Sequence, residues 1–304
     1  MRGWLVQHPD LTAVIPTYNS RAFIAETIQT VATAGPACII VADDASTDGT
    51  AEAAEQVLAE LDGETLLVRN ERNLGVTANW QSAINRVQTR YCWKCDADDL
   101  VLPDYVADAV ALLRVHANVV ITAAQSLEVE PGSSVPDGAS EAFATLRWEK
   151  PEPVILHALD SGKFLFRWNT VASATTIYRM AAWHDVGGFD LRIGYCSDHE
   201  IWFRLAKIGK IGHFPAIGAV YRVNPQSVTR TAMRNSTVAM DRSNMYLNAR
   251  KLWPEPELGP LYRKQMRFLF KAHLGSFGRL LPQDRKRALR NLQRAVRILP
   301  ELVR

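Results

Sequence analysis

Cysteine is scarce in this chain: Cys38, Cys92, Cys95 and Cys196 are the only four in 304 residues. That excludes a disulfide scaffold of the secreted kind, which carries a denser pattern. Cys92 and Cys95 have the C-x-x-C spacing of a zinc or redox pair. No second ligand pair follows them, however, and they lie in an apolar run, so a buried strand is the expectation. Long apolar runs are missing too. No stretch of about 18 apolar residues occurs, which excludes a membrane-spanning helix. Met1–Asp10 has no apolar stretch of the kind a secretory leader needs. With so little cysteine, a cytoplasmic location is expected. Several catalytic signatures are also absent. There is no Gly-x-Ser-x-Gly elbow, no P-loop and no His-Glu-x-x-His, and no Gly-x-Gly-x-x-Gly follows the first strand candidate. A nicotinamide enzyme is therefore disfavoured. Internal repeats and low-complexity tracts are absent.

The composition that remains is that of a globular protein, 47% apolar and 22% charged. The net charge of +3 hides an asymmetry. Between Leu261 and Arg304 stand twelve Lys and Arg against two acids, Asp284 and Glu301, so this tail carries about +10 and the rest about −7. Two rows in the tail have helical spacing, Tyr262, Met266, Leu269, Phe270, His273, Phe277 and Leu280, then Leu289, Leu292, Val296 and Leu299. The pattern suits amphipathic helices packed on a domain with a solvated cationic side. It equally suits a peripheral contact with anionic lipid. Charge alone would also permit nucleic acid, but no recognition motif supports it.

Residues 1–125 alternate strand and helix signals. Strands are expected at Thr12–Ile15, Cys38–Val41, Thr65–Val68, Tyr91–Cys95 and Val119–Thr122. Helices are expected at Arg21–Thr33, Asp48–Leu61 and Val76–Val87, and from Pro103 onward. This order predicts a mostly parallel sheet with helices on both faces, and ligands outside the carboxyl ends of its strands. Glu128–Pro153 reads as a loop. Further strands are expected at Thr170–Tyr178, Gly212–Phe214 and Ala219–Tyr221, and a helix from near Asp198. From Met233 the pattern is helical, broken at Pro254–Pro260 and at Pro282.

Three polar clusters carry the chemistry. Asp96-Ala97-Asp98-Asp99 crowds three carboxylates at a strand end. A divalent cation sharing them with a diphosphate would relieve the repulsion, although a solvated turn ahead of the Pro103 helix would look the same. Asp43-Asp44-Ala45-Ser46-Thr47-Asp48-Gly49 also follows a strand. A carboxylate there can accept from a nucleobase N–H, with Asp48 capping the next helix, or every acid can be a turn residue. Asp198, in Ser197-Asp198-His199-Glu200, stands at a helix mouth, either as an acid–base group or as a simple cap.

In order, VIPTYNS at 14–20, VADDASTDGT at 41–50, NERNLGVTANW at 70–80, CDADDLVLPD at 95–104, VGGFD at 186–190, SDHEIWFRLA at 197–206 and YRVNPQSVT at 221–229 resemble the family 2 inverting glycosyltransferases of GT-A fold. The resemblance implies a GT-A catalytic domain over 1–230, with a nucleotide-sugar half to about 125 and an acceptor half beyond it, followed by a basic helical extension over 231–304. It implies sugar transfer from a nucleoside diphosphate, uridine or thymidine preferred, to a saccharide or lipid-linked hydroxyl in bacterial polysaccharide, glycolipid or glycoconjugate synthesis. It implies Mn2+ or Mg2+ as cofactor.

By position, the resemblance makes Tyr18 the aromatic packed on the base and Asp44 the acid that reads its N–H, supported by Asp43. Pro16, Asn73, Gly75 and Asn79 fall on the donor side. Asp98 falls on the metal-binding acid, with Asp96 its partner. Asp198 falls on the catalytic base, with Glu200 or Asp99 as fallbacks. Gly187, Gly188 and Glu200 fall on the acceptor side. Two positions depart from the pattern: Ser197 stands where relatives often have Glu, and Asn224, a weaker metal ligand, where they often have His. Two other readings compete. A non-catalytic sugar-nucleotide or glycan-binding descendant would fit Asn224 but not Asp198. A sugar-1-phosphate nucleotidyltransferase would need a glycine-rich loop bearing Arg and Lys, which Pro16-Thr17-Tyr18-Asn19 is not.

Overall fold

The computed structural model describes residues 5–129, 143–167, 171–223 and 237–303. Its first half is a βα alternation: β1 (His8–Thr17), α1 (Ile24–Thr33), β2 (Pro36–Asp43), α2 (Thr50–Ala59), β3 (Glu64–Arg69), α3 (Val76–Ile84) and β4 (Tyr91–Lys94). The second half contributes β5 (Leu100–Val101), α4 (Pro103–Val115), β6 (Val119–Val129), β7 (Val154–Leu156), α5 (Ala158–Phe166), β8 (Ile177–Arg179), α6 (Met180–Asp185), α7 (Ser197–Ile208) and β9 (Lys210–Arg222). Among the described residues the sheet has nine strands in the order β3-β2-β1-β4-β8-β6-β9-β5, with β7 on β9. The long ladders, β3-β2-β1-β4 and β6-β9, are parallel. The antiparallel pairings span two or three residue pairs each. Helices cover both faces, so Leu11–Thr17 is buried throughout, as an unbroken apolar run in a parallel sheet should be.

Several expectations need correction. Thr170–Tyr178 is not one strand. A 3-10 turn over Ser173–Thr175 precedes the short β8, and residues 168–170 lie outside the described residues. The cause is local: the Thr175 hydroxyl donates to Ala172 O at 2.7 Å and accepts from Ala124 N at 3.0 Å, competing with a regular ladder. Conversely, Gly212–Phe214 and Ala219–Tyr221 are one strand. Its register jumps at Phe214–Ile217, so Pro215, which has no N–H to offer, sits in the irregularity. Asp48 is not itself the N-cap of α2. Gly49 occupies that position at φ 87°, while Asp48 accepts from Thr50 N (3.0 Å) and Arg21 N (3.1 Å).

The C-terminal helices α8 (Thr237–Leu252), α9 (Gly259–Leu280) and α10 (Arg285–Ile298) break where the prolines predict. They share a core with the α/β part of the chain: Tyr246, Trp253, Tyr262, Met266 and Leu269 pack with Phe166 and Phe203. The inward face of α10 differs from the expected one. Ala288, Asn291, Ala295 and Ile298 are buried, while Leu289, Val296 and Leu299 are 52%, 60% and 47% exposed. Small residues at the contact suit close approach to α9, where His273 Nδ1 meets Asn291 Oδ1 at 3.2 Å.

Candidate active site

The carboxyl ends of β1, β2 and β4 converge, and the polar clusters lie there. The loops after β1 and β2 are joined by Asn19 N to Ser46 Oγ (2.8 Å), Thr47 N to Asn19 Oδ1 (3.0 Å) and Ser20 N to Thr50 Oγ1 (2.8 Å). Asn19 and Ala45 adopt positive φ to make these turns. Pro16 lies buried at the end of β1, and Tyr18 projects from the loop with half its surface exposed. Asp44 is buried. Its Oδ1 accepts from Leu74 N and Asn70 Nδ2, both at 2.8 Å, and its Oδ2 from Gly75 N at 2.9 Å. Asp44 thus holds the 70–75 loop in place. Asn73 also accepts from Gly75 N, and Gly75, at φ 86°, takes a conformation that disfavours a side chain. Asn79 joins the loop to β2, donating to Ala42 O (2.9 Å) and accepting from Asn70 Nδ2 (3.0 Å). The neighbouring Asp43 accepts from Ser46 N through Oδ2. Its Oδ1, and the Thr17 hydroxyl on the paired strand, are buried without a hydrogen-bond partner among the described residues.

The acidic loop after β4 is framed from below. The fully buried Lys94 places its ammonium 2.5 Å from Asp96 Oδ1 and 3.9 Å from the centroid of the Trp80 ring. Arg222, equally buried, donates to Asp98 O (2.5 Å) through Nε, and its N–H reaches Asp99 Oδ1 (3.1 Å). It also pairs with Glu26 at 2.7 Å. Thr27 donates to the carbonyls of Ala97 and Asp99. The three acids therefore differ in surroundings. Asp99 is buried, and burial, then Asp98 and Asp96, push its carboxyl well above the usual range. Asp98 and Asp96 remain part-exposed.

Asp198 stands at the second position of α7, behind Cys196 as N-cap, and its Oδ1 accepts from His199 N at 2.7 Å. Burial raises its proton affinity above the usual carboxylate range, with Lys94 pulling it back and Asp96 adding to the rise. Asp198 is thus within electrostatic reach of the acidic loop. Thr77 anchors the approach to α7 by donating to Ile193 O and Gly194 O.

A family model described as glycosyl transferase family 2 matches residues 12–168. The chain belongs to glycosyl transferase family 2. An uncharacterized glycosyltransferase of Haemophilus influenzae is 25% identical over 249 residues, 79% of this chain and 75% of that one. Two solved structures are similar in fold. S. aureus TarS 1-349 in complex with UDP-GlcNAc superposes with TM-score 0.61 at 16% identity, over 94% of this chain and 90% of that one. The mannosyltransferase PcManGT of Pyrobaculum calidifontis, in complex with GDP-Man and Mn2+, superposes with TM-score 0.62 at 18% identity, over all of this chain and 81% of that one. The GT-A type fold is thereby established, and the chain is a glycosyltransferase by family.

Other residues singled out by the family pattern fall into place around this centre. Gly187 and Gly188 both have positive φ, and a side chain at Gly188 would strike Gln81, whose Oε1 accepts from Phe189 N at 2.6 Å. Glu200 is buried, and both its oxygens accept from Arg204, which in turn donates to Val186 O (2.7 Å) ahead of the two glycines. It braces the glycine loop through Arg204. Burial lowers His199 to about 4, and its Nε2 lies 2.9 Å from Leu165 O. Asn224 lies outside the described residues.

Lys94, Arg222 and Asn70 escaped the sequence reading. A cation inside the apolar run Tyr91–Cys95 was the available signal for the first. Among the described residues no group of three or more His, Cys, Asp or Glu side chains forms a ready cation cage. A divalent ion that keeps waters and substrate phosphate oxygens needs only one or two carboxylates. Asp98, with the second oxygen of Asp96, fits that requirement.

Proposed function

We propose that this chain transfers a sugar from a nucleoside diphosphate, uridine or thymidine preferred, to a hydroxyl of a saccharide or lipid-linked acceptor, with inversion at the anomeric carbon. The observation that carries this reading is Asp198: a carboxylate of raised proton affinity, in the first turn of α7 and within electrostatic reach of the acidic loop. As the acceptor oxygen bonds to the anomeric carbon, its proton passes to Asp198. The bond from that carbon to the phosphate oxygen breaks, and the diphosphate leaves with the electron pair. General-base assistance of this kind is worth roughly 10²–10⁴-fold. A bound Mn2+ or Mg2+ would neutralise charge on the leaving diphosphate, held by Asp98 with help from Asp96. The 70–75 loop, organised by Asp44, would wall the base, and Tyr18 would pack on it. Incubation with UDP-, dTDP- and GDP-sugars and Mn2+, with nucleoside diphosphate release as readout, tests the reading. No release from any donor refutes it.

The basic helices favour a membrane-proximal acceptor. On α10 the aliphatic row Leu289, Val296 and Leu299 is left outward beside Arg290 and Arg297, an arrangement that lies well on anionic lipid. Among the described residues no helix is long and apolar enough to cross a membrane. Attachment would be peripheral, on the inner face.

A further inference from the structure

The chain enters α7 through a turn over 194–197, closed by Ser197 N donating to Gly194 O at 3.3 Å. Two elements remote in sequence hold that turn. From α3, the Thr77 hydroxyl lies 3.2 Å from Ile193 O, 3.2 Å from Gly194 O and 3.1 Å from Ser197 Oγ. From α8, the buried Asp241 accepts from Tyr195 N through Oδ2 at 2.9 Å. The approach is so close that a Cβ on Gly194 would lie 2.9 Å from the same oxygen. A carboxylate is costly to bury, and an apolar side chain would pack α8 at less cost. What the carboxylate adds is a directed, charge-assisted bond to one backbone N–H. The helix that delivers it is itself fixed. The Tyr246 ring lies 6.2 Å from His199 and 6.3 Å from Phe203 of α7, centroid to centroid. Ser243 Oγ lies 3.0 Å from His273 Nε2 of α9, and His273 Nδ1 meets Asn291 of α10. Downstream of Tyr195 the backbone is just as constrained. Cys196 is the N-cap of α7, Glu200 N donates to Cys196 O at 2.9 Å, and His199 N donates to Asp198. A shift at Tyr195 therefore reaches Asp198 through three residues of hydrogen-bonded chain.

We propose that Asp241 is a positioning residue for sugar transfer: from the C-terminal helices it clamps the turn at Gly194 and Tyr195, and so sets where Asp198 stands at the mouth of α7. The helical extension is then part of the catalytic apparatus and not only a surface for lipid. This role rests on the transferase reading with Asp198 as base. Asp241 acts through Tyr195 and is assigned no contact with substrate or reacting atoms.

A released turn would let Asp198 drift from the attacking oxygen, and misplacing a reacting group by about 1 Å can cost about 10²-fold in rate. Donor binding, which the proposed site builds on Asp44 and the acidic loop, would be spared. Three variants separate these effects. Asp241→Ala removes the clamp. Asp241→Asn keeps an oxygen for Tyr195 N. Gly194→Ala leaves Asp241 in place and sets a methyl against its Oδ2. Each is made in wild type and in an Asp198→Asn background. Nucleoside diphosphate release from UDP-glucose, UDP-N-acetylglucosamine and GDP-mannose is followed with Mn2+, at stoichiometric enzyme for the slow variants. Donor affinity is measured by calorimetry, and folding by circular dichroism.

Asp241→Ala should lower kcat at least about tenfold, with donor affinity within a few-fold of wild type. Asp241→Asn should restore most of that loss. With Asp198→Asn already present, Asp241→Ala should cost less than about twofold more, because a clamp that acts through Asp198 then has nothing left to position. A merely structural aspartate would lower the rate by the same factor in both backgrounds, or leave it unchanged, and either outcome overturns the inference. If Asp241→Ala does not fold, Gly194→Ala decides by the same comparison between backgrounds. The two failures are distinguishable. Wild type without turnover removes the transferase reading, and a fully active Asp198→Asn variant removes its base; this inference falls with either. An active wild type, a crippled Asp198→Asn variant and equal Asp241→Ala losses in both backgrounds remove only the role of Asp241.

Discussion

Replacing Asp198 by Asn changes one property and spares the rest. Its Oδ1 accepts from His199 N at 2.7 Å, and an amide oxygen can take the same bond. Asn and Asp serve helix N-termini about equally well, so a residue that merely supports α7 would be replaced at little cost. The ionised carboxylate is moreover disfavoured in the folded protein, because burial raises its proton affinity. A carboxyl whose folded pKa exceeds its unfolded one contributes stability below the unfolded pKa, and loses it as pH rises through the folded pKa. At neutral pH Asp198 therefore adds nothing to stability through its charge, and the Asn variant should melt within a few degrees of wild type. Catalysis should behave otherwise. Loss of a general base costs about 10²–10⁴-fold, or roughly 3–5 kcal/mol of barrier. The assay pairs melting temperature with initial rate, and measures donor binding by calorimetry. A stable variant that binds donor and turns over at less than about 1% of wild type meets the expectation. A stable variant with more than about a third of wild-type activity would refute the base assignment, since no other described group is poised to replace it.

Asp44→Ala strips three hydrogen bonds from a buried carboxylate, two of them from backbone N–H groups of the 70–75 loop. Donor KM should rise at least about tenfold, and stability should fall by about 2–4 kcal/mol, read by steady-state kinetics and denaturant melts; unchanged values of both would remove its role in shaping that wall. Asp98→Ala should abolish the response to added Mn2+ and weaken Mn2+ binding in the presence of UDP, followed by electron paramagnetic resonance. Full wild-type turnover in excess chelator would end the metal assignment. Truncation before Leu261 would remove Tyr262, Met266 and Leu269 from the shared core, so the membrane question needs surface variants instead. Leu289→Gln, Val296→Gln and Leu299→Gln combined should leave the fold intact and release the protein from phosphatidylglycerol vesicles, and salt should weaken wild-type binding. Vesicle binding that is absent in wild type at low salt leaves α10 a structural helix.

Order and type of element were legible because they depend on local pattern. Apolar runs such as Ala13–Ile15 and Ile39–Val41 can only be strands buried on both faces, and the polar clusters had to fall at their carboxyl ends. The places of Asp98 and Asp198 were legible for the same reason, through motif order along the chain. Failures came where side-chain hydrogen bonds overrode propensity, as with Thr175 and the turn before β8. They also came where two surfaces competed for one helix, as on α10, where the sequence shows an apolar row but not which neighbour is close enough to need alanine.

Three aspartates in four residues are identical groups until their surroundings differ. The sequence by itself determined that a parallel sheet would gather carboxylates at one end, since spacing and hydrophobic period are properties of the chain alone. Only the tertiary structure decided which carboxylate does what. Asp99 is buried behind Arg222 and raised in proton affinity, Asp96 is bound to Lys94, Asp44 is committed to a loop thirty residues away, and Asp198 is raised in proton affinity by desolvation. These states depend on exclusion of water and, for Asp44 and Asp99, on groups distant in sequence, and none exists before the chain is folded.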